Sequence, residues 1–257
     1  MKIKFILLTL VLLVSFLGST QTDSPEQRTT VVIHTPTPSL KNSLSFYKKL
    51  EYKVISEANP TLITDGKNLL EINADRKARA GLKMYRKSWT EEVEKLKPLT
   101  TVYEVENGYL LNDLNGCWIY LINDEFKLDY PLADSATAVT GNFMGLSLES
   151  ANMARSLEIW TILGFSTIMG SAESGFIIIQ NAEGFSLSMM KPLLCPHLFF
   201  NPSMTFFNGK NNLNIIKKIR KLGIPITEEI TVFNKEGIVD NIIIRDPGGY
   251  GFFIFSD

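Results

Sequence analysis

The sequence is poor in the residues on which several common functions depend. Its 257 residues include only two cysteines and two histidines, and 26 Lys and Arg against 27 Asp and Glu give a formal net charge of −1. Binding to a nucleic-acid backbone depends on an excess of basic residues, which is missing here. We therefore expect no nucleic-acid partner.

Sequence motifs for two large enzyme classes are also missing. No Gly-x-Ser-x-Gly segment is present, and neither histidine lies in the context of a nucleophile elbow, so a Ser-His-Asp triad has no support. The chain has no Gly-x-x-x-x-Gly-Lys-Ser/Thr segment that would bind phosphate. The two cysteines, Cys117 and Cys195, could pair in an oxidising compartment or could be two small buried apolar side chains. The sequence leaves this choice open.

The first twenty residues have the layout of a secretory signal peptide. Lys2 and Lys4 precede an apolar run over residues 5–17, and small residues follow it up to a predicted cleavage site near Ser19. The run is shorter than the ~20 apolar residues that cross a bilayer comfortably. We expect residues 1–20 to be removed and the mature protein to be exported, periplasmic or secreted, with no membrane contact. The alternative is a membrane anchor through residues 5–17.

The full sequence is 45% hydrophobic, as in an ordinary globular protein. After the first 28 residues, the first module is clear. A β-branched segment, Thr30–Thr35, predicts a strand, and apolar residues at helical spacing predict a helix over Leu40–Leu50. Short strands follow at Tyr52–Ser56, Thr61–Thr64 and Leu69–Asn73. The predicted order is β-α-β-β-β.

This order recurs in the rest of the chain. In the third module, Ser156-Leu157 matches Ser43-Leu44 at an offset of 113 residues, as an internal duplication would leave it. Looser versions of the module occupy residues 81–122 and 203–255. Each module has a turn before its last strand. These turns are Asp65-Gly66-Lys67-Asn68, Asn112-Asp113-Leu114-Asn115-Gly116, Asn181-Ala182-Glu183-Gly184 and Asp246-Pro247-Gly248-Gly249.

The repeat resembles the vicinal oxygen chelate superfamily of glyoxalases, extradiol dioxygenases and bleomycin-resistance-type proteins. The resemblance rests on the helix and strand around Phe46-Tyr47-Lys48-Lys49-Leu50-Glu51-Tyr52, on its echo Ile159-Trp160-Thr161-Ile162-Leu163-Gly164-Phe165, and on the Asp246-Pro247-Gly248-Gly249 turn. It implies an α+β fold in which four βαβββ modules pair into two glyoxalase-like domains. Each domain is then an incomplete barrel around a cavity.

Self-association into a homo-oligomer is left open by the sequence. The resemblance and the composition divide the chain into five parts. The parts are a signal peptide at 1–20, a flexible lead at 21–28, an N-terminal glyoxalase-like domain at 29–124, a linker at 125–140 and a C-terminal glyoxalase-like domain at 141–257.

In metal-dependent members of this superfamily, a His on the first strand and a Glu on the last strand of paired modules hold the metal. Carried over to this sequence, the first-strand positions are Val32, Leu82, Gly145 and Met204, and the last-strand positions are Glu71, Tyr120, Ser188 and Phe253. Only Glu71 matches. His34 lies two residues after Val32 and therefore on the same face of its strand.

This comparison predicts no metal site and no cofactor. The alternative is a divalent metal ion held by His34, Glu71 and a third ligand, in an enzyme of the glyoxalase-lyase or dioxygenase type. A purely structural interpretation of His34 and Glu71 is a hydrogen-bonded pair that fixes the register of their strands. His197, which lies in a proline-flanked connection, is expected at the surface.

Apolar residues near the ligand positions predict a dry pocket for a small apolar or aromatic molecule. No catalytic residue is assigned, and whether the protein is an enzyme stays open. An ordinary hydrophobic core, in an interaction module with filled cavities, is the competing interpretation. The expected ligand-binding residues are Glu71, Tyr120, Ser188, Met189, Met204, Phe206 and Phe253.

Overall fold

The computed structural model describes residues 28–256, so the predicted signal peptide and nearly all of the flexible lead lie outside the described residues. The first half contains β1 (Thr30–Pro36), α1 (Leu40–Lys49), β2 (Lys53–Ser56), β3 (Thr61–Thr64), β4 (Leu69–Asn73), β5 (Gly81–Arg86), α2 (Thr90–Leu96), β6 (Val102–Val105), β7 (Gly108–Asn112) and β8 (Trp118–Asn123). The second half contains β9 (Phe143–Glu149), α3 (Met153–Ile162), β10 (Ser166–Ser171), β11 (Phe176–Gln180), β12 (Ser186–Met190), β13 (Ser203–Phe207), α4 (Asn212–Lys221), β14 (Ile226–Ile230), β15 (Asn241–Arg245) and β16 (Gly251–Phe255).

The strands form two eight-stranded sheets with equivalent topology. The first has the order β2-β3-β4-β1-β5-β8-β7-β6 and the second the order β10-β11-β12-β9-β13-β16-β15-β14. Within each module the first and last strands are parallel neighbours, and the two modules of a sheet meet through antiparallel first strands. The predicted α+β fold of four βαβββ modules in two domains is confirmed.

The four turns before the last strands share one hydrogen bond, which explains the repeated Asp or Asn. In each turn the side-chain oxygen of Asp65, Asp113, Asn181 or Asp246 accepts from a main-chain N–H three or four residues later, at 2.7–3.0 Å. This is the local bond that favours Asx residues in turns. In the last turn Gly249 adopts a φ of +98°, which suits glycine, and its N–H donates to the Asp246 carbonyl. The predicted hairpin between β15 and β16 is therefore confirmed.

The last turn also joins the two ends of the chain. One carboxylate oxygen of Asp246, Oδ2, accepts hydrogen bonds from the hydroxyls of Thr35 on β1 and Tyr47 on α1, both at 2.9 Å. All three residues are buried. Burial raises the pKa of Asp246, although the donors around the carboxyl oppose the shift. The fourth module is thereby tied to the first.

One face of each sheet contributes to a single hydrophobic core that includes the inner faces of all four helices and runs through both halves. Its largest side chains are Trp89, Trp160, Tyr47, Phe165, Phe206 and Phe252. Residues along a strand alternate between the two faces of its sheet, so each sheet has a second face that points away from this core. We call this opposite face the site face.

The apolar run at Ile230–Phe233 predicts a strand in the fourth module, and the structure has that strand earlier in the sequence. Val232 and Phe233 are exposed in a loop, and β14 begins earlier, at Ile226. β14 is an edge strand in which half-buried and exposed residues alternate, with Glu229 exposed and Glu228 half-buried against His197. The apolar residues after it suggested a strand that does not form.

The connection between the halves follows the first module closely. Residues 125–140 contain no helix or strand, yet Val139 N–H donates to the Leu50 carbonyl at 2.9 Å and Thr137 N–H to the Asp65 carbonyl at 2.7 Å. Across residues 28–256, no helix has the length and apolar character needed to span a membrane. Both cysteines are free, Cys117 buried and Cys195 half-buried.

Candidate functional site

Strand register assembles four polar or aromatic side chains on the site face of the first sheet. His34 on β1 lies opposite Glu71 on β4, and Lys83 on β5 lies opposite Tyr120 on β8. Lys83 also lies opposite Val32, two residues before His34 on β1. Because side chains alternate along a strand, the four residues share one face. The predicted adjacency of His34 and Glu71 is present.

The carboxylate of Glu71 is shared by two donors. Its Oε1 lies 3.1 Å from Nδ1 of His34 and also accepts from Nζ of Lys83. The side chains of His34, Glu71 and Lys83 are 0%, 7% and 15% exposed. Opposite charges at contact distance in so buried a place attract each other much more strongly than at a surface. Lys83 therefore neutralises Glu71 within the chain.

These contacts fix the protonation states. Burial lowers the pKa of His34 and outweighs the opposing effect of Glu71. Burial alone would raise the pKa of Glu71, but the hydrogen bonds to His34 and Lys83 together with the Lys83 charge hold that pKa below its usual range. At neutral pH Glu71 is a carboxylate and His34 is neutral. Nδ1 of His34 then carries the proton, and Nε2 is an acceptor, buried and without a hydrogen-bond partner among the described residues.

Two tyrosines flank Lys83 on the same face. The Tyr120 ring centroid lies 4.9 Å from that of His34, and Nζ of Lys83 lies 5.9 Å from the Tyr120 ring. Tyr85 follows Lys83 by two residues and packs against Phe126 of the linker, with 4.8 Å between ring centroids. Both tyrosines are half-buried. A charged group thus lies between two partly accessible aromatic rings.

Within residues 28–256, this site offers two of the side-chain donors that a divalent metal ion uses. No group of three or more His, Cys, Asp or Glu side chains within residues 28–256 could hold one. His34 and Glu71 supply two donors, whereas a catalytic site ordinarily needs three. The Lys83 ammonium already contacts Glu71 and would repel a cation. The expected first-strand position, Leu82, faces the core, and Lys83 takes its place on the site face.

The second sheet carries a hydroxyl cluster at the equivalent positions. Ser147 on β9 lies opposite Ser188 on β12, and Thr205 on β13 lies opposite Phe253 on β16. Oγ of Ser147 lies 2.7 Å from Oγ of Ser188 and 2.6 Å from Oγ1 of Thr205. These three residues occupy the positions held by His34, Glu71 and Lys83 in the first sheet. The second site face therefore has a neutral cluster at the positions where the first site face has an ionic one.

The connection over residues 191–202 covers this second site face. Phe199 and Phe200 pack with Phe253 in an apolar cluster that is separate from the main core. The centroids of the Phe199 and Phe253 rings lie 5.1 Å apart. His197, expected at the surface, instead has a side chain only 7% exposed, because Glu228 on β14 binds its Nδ1 at 2.9 Å.

Three of the expected ligand-binding residues lie in the main core and not on a site face. Met189, Met204 and Phe206 are fully buried in the main core, on the opposite side of the sheet from Ser188 and Thr205. Met204 is the expected position on this strand, but Thr205 is the residue that lies on the site face. A shift of one residue along a strand moves a side chain to the opposite face. The remaining expected residues divide between the two site faces, with Glu71 and Tyr120 on the first and Ser188 and Phe253 on the second.

Comparisons with known proteins identify the fold and little else. No family model and no curated protein matches the chain. Among solved structures, the chain is similar to the Mn(II)-bound glyoxalase from Novosphingobium aromaticivorans, with 12% identity, a TM-score of 0.55, and coverage of 88% of this chain and 81% of that one. It is also similar to homoprotocatechuate 2,3-dioxygenase from Arthrobacter globiformis, with 14% identity, a TM-score of 0.57, and coverage of 90% and 80%. The chain therefore has the vicinal oxygen chelate fold. At these identities the likeness concerns the fold alone.

Proposed function

We propose that this protein binds a small aromatic or apolar molecule on the site face of the first sheet, without a metal ion and without catalysing a reaction. The observation that carries the proposal is the contact between the Lys83 ammonium and the Glu71 carboxylate. It supplies the positive charge at this carboxylate from within the chain. A site whose anion is already neutralised has little affinity left for a divalent cation.

The chemistry of the surrounding side chains favours an aromatic ligand. Tyr85 and Tyr120 are half-buried beside Lys83, so a flat ring can pack against them while a polar substituent meets the ammonium. Contact between aromatic rings contributes about 0.5–1.5 kcal/mol beyond the buried area. The buried Nε2 of His34 has no hydrogen-bond partner among the described residues, and a ligand that carries a hydrogen-bond donor would supply one if it displaced the Tyr120 ring.

A divalent-metal enzyme of the glyoxalase or dioxygenase type is the second candidate. The likeness to a Mn(II)-bound glyoxalase and the direct contact of His34 with Glu71 favour it. It requires a third ligand from outside the described residues or from a partner chain, and it requires Lys83 to leave Glu71. The two proposals therefore differ in metal content.

Elemental analysis of the purified mature protein separates these proposals. We expect no stoichiometric divalent metal in the wild type, in His34→Ala or in Glu71→Ala. The control is Ser188→Ala, which alters the equivalent position of the second sheet. One metal ion per wild-type chain, retained by Ser188→Ala and lost in both other variants, would replace our proposal with the enzyme.

A thermal-shift screen with aromatic compounds tests the binding itself, because a ligand specific for the folded state raises the melting temperature. Compounds that pass are titrated by calorimetry against Tyr120→Ala and, as the matched control, Phe253→Ala, the equivalent position of the second sheet. We expect at least tenfold weaker binding to Tyr120→Ala, about 1.4 kcal/mol, and unchanged binding to Phe253→Ala. A library without a single hit would favour an interaction module with filled cavities.

We also propose that the protein is exported after removal of residues 1–20. The support is the order of two lysines, an apolar run over residues 5–17 and small residues near Ser19. Intact mass measurement on protein from the periplasm or the medium should give a chain beginning close to Ser19. Recovery of the full-length chain in the membrane fraction would instead indicate an anchor through residues 5–17.

A further inference from the structure

A cleft between the first and third modules lies apart from the ligand site proposed above. Its volume is about 320 Å³, at the small end of the range for ligand pockets. It lies where β1 and β9 begin, between the turn at residues 65–68 of the first module and the turn at residues 181–184 of the third. Its described lining includes neither Lys83 nor Tyr120. We call it the module cleft.

The floor of the module cleft is apolar and forms part of the edge of the main core. Val31, Phe143 and Phe185 line the cleft and also pack against core residues. The ring centroids of Phe143 and Phe185 lie 6.0 Å apart. Leu132 of the linker and Met144 of β9 add apolar side chains that are 39% and 45% exposed. An apolar molecule in the cleft would therefore cover surface that now faces water.

A void of about 10 Å³ adjoins the cleft on its inner side. It shares Asn68, Leu69 and Phe143 with the lining of the cleft, and it reaches the core side chains of Ile33 and Met204. A void of this size barely holds one water molecule. The cleft thus narrows towards the core, where the end of an apolar chain fits better than a ring.

The rim of the module cleft carries two cations. Arg28 and Lys67 line it, are exposed, and form no ion pair with a side chain of residues 28–256. The one acidic residue of the described lining is Glu183, and its Oε1 already accepts the Thr29 N–H at 2.6 Å. Two cations and one anion leave a net positive charge at the rim. A negatively charged group is therefore attracted to this end of the cleft.

We propose that the module cleft binds a small carboxylate with a linear apolar chain, of the medium-chain fatty acid type. The carboxylate lies at Lys67 and Arg28, and the chain lies along Val31, Phe143 and Phe185 towards the inner void. At about 30 Å³ for a water-sized group, the cleft holds about ten such groups, which matches a chain of about eight carbons with its carboxylate. This inference goes beyond the ligand proposed for the first site face and does not depend on it.

Calorimetric titration of the mature protein with octanoate tests the proposal, and octanamide is the uncharged probe of the same chain length. We expect one octanoate per chain and at least tenfold weaker binding to Lys67→Glu, because this change replaces an attraction by a repulsion. The Lys67 contact that holds the turn is made by its main-chain N–H, so the turn is kept. The matched control is Lys217→Glu, at an exposed lysine on α4, and it should bind as the wild type does. Octanamide should bind the wild type more weakly and should not distinguish Lys67→Glu from it.

Met144→Glu tests the apolar wall, with Met169→Glu as its matched control. Met144 lines the cleft, whereas Met169 lies on β10 and is 59% exposed. Both changes are at exposed positions, so folding is expected, and circular dichroism verifies it. Octanoate binding should be lost in Met144→Glu and kept in Met169→Glu.

Four results would overturn the proposal. They are a wild type that does not bind octanoate, equal affinity for octanoate and octanamide, wild-type affinity in Lys67→Glu or Met144→Glu, and an equal loss in the matched controls. Tyr120→Ala, which tests the first site face, should leave octanoate binding unchanged. A failure of either ligand proposal is thereby distinguished from a failure of the other.

Discussion

Replacing Lys83 by methionine is the most direct perturbation of the ionic cluster. Methionine keeps most of the length and apolar stem of lysine but removes the ammonium from the Glu71 carboxylate. His34 then remains as the sole side-chain partner found for that carboxylate among the described residues. The Glu71 side chain is only 7% exposed, so the carboxylate is little hydrated and depends on its protein partners. We therefore expect a substantial loss of stability at neutral pH.

The expected loss follows from the burial of the pair. A hydrogen bond to a charged group contributes about 1.5–3 kcal/mol, and removing one partner of a buried ion pair costs about 3–5 kcal/mol. The Lys83 side chain is 15% exposed, so we expect a cost at the lower end of the range for a buried ion pair, about 3 kcal/mol. Contacts with Lys83 and His34 lower the pKa of Glu71 in the folded state, so their stabilising contribution is present at neutral pH and disappears as the pH falls through that lowered pKa.

Urea unfolding at pH 7 measures this cost, with Glu71→Gln and the double variant completing a double-mutant cycle. The double variant should be more stable than Lys83→Met alone, because a buried amide needs no counter-charge. The difference between wild type and Lys83→Met should also shrink as the pH is lowered below about 4. A Lys83→Met variant within 0.5 kcal/mol of the wild type, or a cycle without coupling, would refute the assignment of Lys83 as the internal cation.

Two further perturbations test other buried carboxyls. Burial raises the pKa of Asp113 from 3.8 to about 6, so its favourable contribution is complete below pH 3.8 and is lost as the pH rises through 6. Asp113→Asn keeps an acceptor for Cys117 N–H and should raise the free energy of unfolding at pH 7 by up to about 3 kcal/mol, with no gain below pH 4. An unchanged pH profile of unfolding would contradict this. Tyr47→Phe removes a donor from Asp246 and should cost about 1.5–3 kcal/mol in urea unfolding, and a neutral effect would show that the bond contributes nothing.

The fold could be predicted because its signals are local and repeated. The Asx residues that open each final turn, such as Asp65 and Asp246, form a bond to a main-chain N–H a few residues away, so their spacing in the sequence reflects geometry directly. The edge strand β14 could not be placed, because Glu228, which contacts His197, and the exposed Glu229 interrupt the apolar pattern of a strand. Apolar side chains in the loop that follows β14 led to a strand prediction too far towards the C-terminus.

The site could be predicted only where the register was certain. Glu71 and His34 were expected on adjacent strands and are found there. Lys83 and Thr205 were missed, because a one-residue error in the alignment of a first strand selects the residue on the other face. A lysine between the apolar residues Leu82 and Met84 was the available signal. Its partner, however, is Glu71 on β4, which lies on the far side of β1 from β5, and the sequence does not show this strand order.

The bonds from Asp246 to Thr35 and Tyr47 have a consequence for biosynthesis. They join residues separated by 211 and 199 positions, so Thr35 and Tyr47 lack their acceptor until Asp246 has been synthesised. Contacts of such long sequence separation slow the completion of folding. The first and fourth modules therefore come together only late in synthesis and folding.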